Sequence, residues 1–134
     1  MLFRSADEHE EHRNIKIYDL NGTFTGQTIP HTYFFYEPEG IVVWECKADS
    51  SGYYICVDQD KLINTFQVFD RKTLKYIGGF GGEQIRNTDG IVISQGPMNG
   101  FEFGAFYAVH NDGNLSAIAW EQIADALGLR KSCE

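Results

Sequence analysis

An all-β fold arranged as a partial β-propeller is what this sequence predicts, and three observations predict it. Strand-length runs rich in β-branched and aromatic residues succeed one another from Asn14 to Trp120, parted by polar or glycine-bearing turns. The runs repeat in fours: Gly40 recurs as Gly90, 50 residues on, Val57 as Val109, 52 on, and Tyr18-Asp19 as Phe69-Asp70, 51 on. Only the last stretch carries a helical stripe. A period near fifty built from four antiparallel strands is that of a propeller blade. A nine-strand sandwich, the competing all-β arrangement, has no reason to repeat at a fixed interval.

Residues 1–13 are acidic, polar and aperiodic, and are expected to be a frayed, disordered tail. The run Leu2-Phe3-Arg4-Ser5 is what a common sequencing adapter encodes when translated in frame, so the first residues are expected to be an assembly scar, with the native frame continuing upstream. No apolar signal-peptide core precedes Asn14. His9 and His12 stand among carboxylates, but a terminal charge run of this kind is expected to be solvated rather than to grip a metal.

Residues 14–134 form the incomplete propeller domain. Asn14–Leu20 alternates apolar and polar residues, Asn21-Gly22 is a two-residue turn signal, and Thr23–Ile29 returns, which predicts a hairpin. Four strands follow at Gly40–Glu45, Gly52–Asp58, Thr65–Asp70 and Lys75–Phe80, and three more at Gly90–Gln95, Gly104–His110 and Asn114–Trp120. Trp120, Ile123, Ala124 and Leu127 then fall on one face of a short helix that Gly128 can end. Two strands, four strands and three strands amount to a little over two four-stranded blades, and a closed propeller needs at least four blades. The outermost sheets should therefore leave apolar faces and strand edges open, and the chain alone is expected to be marginal, to aggregate or to self-associate.

Composition bounds the partners. With 134 residues, 43% hydrophobic, the chain can bury one core, and no window approaches the roughly 18 apolar residues of a membrane span. A net charge of −8 argues against nucleic acid and anionic membrane, both of which need a basic face, and leaves divalent cations compatible. Three cysteines, Cys46, Cys56 and Cys133, include no CxxC pair and allow at most one internal disulfide. Cys56 lies in an apolar run and reads as a core residue.

Two short stretches carry the chemistry. Glu37-Pro38-Glu39-Gly40 and Thr88-Asp89-Gly90 each place an acid and a glycine before a β-branched run. In a propeller the first strand of every blade lines the central channel, so Glu37, Glu39 and Asp89 should converge at one mouth, the glycines letting backbones approach closely. Gln59 and Asp60 end one strand as Asn111 and Asp112 end its repeat, adding oxygen donors at equivalent positions. Ca²⁺ takes six to eight such oxygens in flexible geometry. Acid-glycine pairs and post-strand Asn or Asp are equally plain turn chemistry, and that reading stands beside the first. His110, at a strand end, is expected to be simply hydrogen-bonded. No GxSxG or P-loop is present, and no Cys-His pair has a persuasive context.

The residues from about Asn14 to Gly128 resemble the β-propeller phytases, calcium-dependent phosphatases acting on myo-inositol hexakisphosphate. The resemblance is densest in EPEGIVVWE, GYYICVDQD, FQVFDRKTLKYIGGF, NTDGI, GAFYAVHNDGN and WEQIADALG, which correspond in order to the family's C-terminal half. It implies a calcium-ligand set of Glu37, Glu39, Gln59, Asp89, Asn111 and Asp112. Glu37 replaces an aspartate of the family's D-x-E-G, and Asn111 replaces a glutamine. The implied chemistry is electrostatic: calcium neutralises adjacent phosphates, water attacks in line, and phosphate leaves.

The family also clamps phosphate with Lys and Arg from N-terminal blades that have no counterpart here. Arg86 alone is expected near the mouth as a substrate-binding residue, and this chain alone is expected to be weak or inactive. Export to the periplasm or outside the cell is implied, and in that setting Cys46 and Cys133 could pair. Two alternatives remain open: a non-catalytic propeller module binding protein or carbohydrate, and a propeller lactonase or esterase.

Overall fold

The computed structural model describes residues 3–134. Among them ten strands, a single 3-10 turn at His31–Tyr33 and one helix follow in order: β1 (Phe3–Asp7), β2 (Asn14–Tyr18), β3 (Phe24–Ile29), β4 (Glu37–Cys46), β5 (Ser51–Gln59), β6 (Thr65–Asp70), β7 (Tyr76–Phe80), β8 (Ile91–Gln95), β9 (Gly104–His110), β10 (Asn114–Ala119) and α1 (Trp120–Leu127). They make three antiparallel sheets, β1-β2-β3, β4-β5-β6-β7 and β8-β9-β10. A sandwich would have two.

All nine expected strands are present, and α1 buries Trp120, Ile123 and Ala124 before Gly128 ends it in the left-handed conformation, φ 67°. The tenth strand corrects the reading of residues 1–13 as a frayed tail. Phe3–Asp7 pairs residue for residue with β2, from Phe3↔Tyr18 to Asp7↔Asn14. Ala6 packs on the neighbouring core, the Arg4 guanidinium lies 4.1 Å over the Tyr54 ring, and Lys16 pairs with Asp7. Met1 and Leu2, where the adapter-like run begins, lie outside the described residues.

The middle sheet is buried on both faces, which is why Tyr54 to Asp58 reads as a continuous buried run rather than an alternation. One face carries Tyr54, Cys56 and Phe69 against Ile15, Ile29 and Phe34 from the β2–β3 side. The other presents Trp44, Ile55, Val57, Phe66 and Val68 to Phe106 and Ala108 of the third sheet and to Trp120 of α1. Trp44 and Trp120 stack at 5.4 Å, and Phe106 meets both Phe66 and Phe80 edge-on while those two rings are tilted to each other. Cys56 is fully buried, and desolvation pushes its thiol up to about 12, so it behaves as an inert hydrophobe.

The fifty-residue repeat has a packing counterpart. Gly52 (φ 143°) and Gly104 (φ 87°), 52 residues apart, open β5 and β9, and at each a Cβ would overlap a carbonyl oxygen of the preceding strand, that of Trp44 in one case and Ser94 in the other. Gln95 ties two sheets together. Its amide accepts from the Glu45 N–H at 2.9 Å and donates to the Glu45 carbonyl at 2.9 Å.

Cys46 and Cys133 form a disulfide across 87 residues of chain. Arg130 holds the same terminal segment, donating to Asp49 and Ser51 while its backbone receives the Trp120 indole N–H and donates to the Tyr53 hydroxyl.

Candidate cation site at the strand mouths

β4 and β8, each the first strand of its sheet, lie against one another. Their entrances meet closely because Gly40 has no side chain: a Cβ there would stand 2.7 Å from the Asp89 carbonyl oxygen and 3.2 Å from Ile91. β4 is also irregular between Pro38 and Ile41, where its register with β5 shifts. Gly40 thus answers to close approach, as expected from the repeat. Gly90 faces Val109 at an ordinary 3.6 Å and has no such duty.

The acids gathered there repel one another. Burial raises the Glu39 carboxyl to about 7, and the negative charges of Glu8, Asp89 and Glu37 push it the same way, with a hydrogen bond to Glu8. No basic side chain is among the influences on Glu39. Glu37 sits opposite Gln59 in the β4–β5 ladder, and the Gln59 amide donates to Asp89 Oδ1, linking the two sheets. Glu37, Glu39, Gln59 and Asp89 are therefore brought together.

Asn111 and Asp112 follow β9, where the Asn111 N–H donates to the Arg86 carbonyl at 3.2 Å. Both adopt positive φ, 47° and 54°, in the β9–β10 turn closed by the Gly113 N–H to the His110 carbonyl. Among the described residues no hydrogen bond or ion pair ties either to Glu39 or Asp89; the Asn111 amide lies against His110 Nε2 at 3.0 Å. Arg86 is exposed and lines a cleft of about 360 Å³ with Glu83, Gln84, His110, Asn111 and Asn114.

Glu8 is the residue that sequence reading missed. It was hidden in a charge run, yet the offset of 51 that maps Asp19 onto Asp70 runs back without a gap to place Asp7 on Asp58 and Glu8 on Gln59. β1 thereby occupies the place in its sheet that β5 holds in the next, and Glu8 is the third member of the Gln59 and Asn111 series.

Among the described residues no three His, Cys, Asp or Glu side chains stand close enough to hold one metal ion. The donor set is nonetheless of one chemical kind, hard oxygen, which suits a hard cation in kind, and Arg13 and Lys61 line a cleft of about 180 Å³ with Glu37 and Gln59. Compared with known proteins, the chain matches no family model and no curated protein sequence.

Proposed function

We propose that this chain is part of a phytase-like, calcium-dependent phosphatase that hydrolyses phosphate monoesters of a densely phosphorylated small molecule, myo-inositol hexakisphosphate being the first candidate, and that its three sheets are consecutive blades of a propeller. The observation that carries the reading is the meeting of two acid-glycine stretches fifty residues apart, with Glu39 crowded by three other carboxylates and no cation. Among the described residues four of the eleven Lys and Arg side chains are paired with other acids: Lys16 with Asp7, Arg71 with Glu45, Arg130 with Asp49 and Lys131 with Asp125. Burial and like charge both favour the protonated form of Glu39, and a bound cation would favour the ionised one.

Glu39 and Asp89 would hold calcium, with Glu37 and Glu8 beside them, while the Gln59 amide fixes the orientation of the Asp89 carboxylate. Bound calcium would neutralise phosphate charge and stabilise the charge that develops as the ester bond breaks. Arg86 supplies a cation for a neighbouring phosphate. Asn111 and Asp112 serve the β9–β10 turn in this reading and are not ligands. The disulfide supports an exported, oxidising setting.

Phosphate release from inositol hexakisphosphate, measured with calcium and with chelator, tests the reading. A slow, calcium-dependent release by residues 1–134, far below that of a chain carrying further blades, is expected. Release that is indifferent to chelator, or cleavage of lactones and esters in place of phosphates, would replace it.

A further inference from the structure

Asp58 is a buried carboxylate, 1% exposed, on a strand whose neighbours are apolar. Both of its oxygens are used: Oδ2 accepts from the Phe35 N–H at 3.0 Å and Oδ1 from the Tyr36 N–H at 2.9 Å. Phe35 and Tyr36 are the last residues before the Glu37–Gly40 mouth. In the next repeat His110 stands 52 residues on, and its Nδ1 accepts from the Arg86 N–H at 3.1 Å. Arg86 is Tyr36 shifted by 50, three residues before Asp89 as Tyr36 is three before Glu39. The same contact therefore occurs twice, with a different side chain serving as acceptor.

Accepting at Nδ1 leaves Nε2 as the ring's donor, so the Asn111 side chain 3.0 Å away faces it with its amide oxygen. The rest of the second arm is tied as fully. The Asn87 N–H donates to the Asn64 side-chain oxygen at 3.1 Å and to the Asp60 carbonyl at 3.1 Å, and the Thr88 hydroxyl donates to the Val109 carbonyl at 2.7 Å.

We propose that Asp58 and His110 are equivalent positioning residues, each gripping the backbone arm that delivers one acid, Glu39 or Asp89, to the mouth. This rests on the reading of the mouth as a cation site. Buried Asp58 accepts two backbone N–H groups and half-buried His110 one, each at the foot of an acid-bearing arm, and groups that orient ligands in this way typically change metal affinity 10- to 100-fold when removed.

The test pairs amide hydrogen exchange with calcium titration in the full chain. Asp58→Asn puts an amide donor against a backbone N–H; His110→Leu removes the acceptor, and His110→Gln retains one. Exchange at Phe35 and Tyr36 in the first variant, and at Arg86 in the second, should speed about tenfold while Ile55 and Val68 stay protected. His110→Gln should behave as wild type, and calcium affinity should fall about tenfold or more in the other two. Unchanged exchange at those amides overturns the inference. Faster exchange with unchanged calcium affinity overturns it too, and leaves the calcium reading standing. If the wild type takes up no calcium the reading of the mouth falls, and the exchange rates alone decide whether the two side chains hold the arms.

Discussion

Glu39 carries the largest electrostatic conflict at the mouth. Its carboxyl, about 7 when folded against an ordinary 4.5, holds a proton that the unfolded chain has already released between those values. Stability should therefore fall as pH rises from about 4.5 to about 7 and level off above, and Glu39→Gln should flatten that slope. Melting temperatures across this range in chelator, for both proteins, check the sign. The paired glycines make a second prediction. Because a Cβ at Gly52 or Gly104 would overlap the Trp44 or Ser94 carbonyl oxygen, and the φ values of 143° and 87° disfavour other residues, either change to Ala should cost about 3 kcal/mol or more in denaturant unfolding. Glu39 and Asp89 were legible in the sequence because the repeat marks their position twice. Glu8 was not, since its neighbours are all charged and the offset that identifies it has to be carried backward from Asp19. Asn111 and Asp112 fit the same repeat, but in the folded chain their backbones serve a left-handed turn.

Strands were legible where one face is apolar, as in β2, where an Asn-Gly turn returns the chain, as in β3, or where a run is too short and β-branched to be a helix, as in β4 and β8. β1 escaped because its inward side chains are Arg4 and Ala6: a guanidinium over Tyr54 substitutes for an aliphatic group. The disulfide joins the end of β4 to the segment after α1, a pairing that sequence can propose only through a setting in which thiols oxidise. Closing 87 residues of chain, it should contribute about 4.5 kcal/mol by restricting the unfolded state. Cys46→Ser, or reductant, should lower the melting temperature markedly with α1 fraying first, which far-ultraviolet dichroism against tryptophan fluorescence can follow. Equal stability with and without reductant would show that Arg130 and the Trp120 indole suffice to hold the segment.

Three sheets stack so that only the middle one is covered on both faces. The third sheet turns Val92, Tyr107, Val109, Leu115 and Ala117 outward as one apolar surface, with Val92 56% and Leu115 66% exposed and Met98 beside Tyr107. The inward face of the same sheet, Ile91, Ile93, Phe106 and Ile118, already covers its neighbour, so the outward one is the face left open to association. Val92→Lys with Leu115→Lys should reduce concentration-dependent association in light scattering without loss of strand content. Calorimetric titration of calcium into the folded chain at about pH 7, beside Glu39→Gln and Asp89→Asn, decides whether the convergent acids work as one site. Wild-type binding accompanied by proton release, and weakened about tenfold or more by either change, is the expected result. A folded wild type that binds no calcium, or two variants that bind it as tightly as the parent, would contradict it.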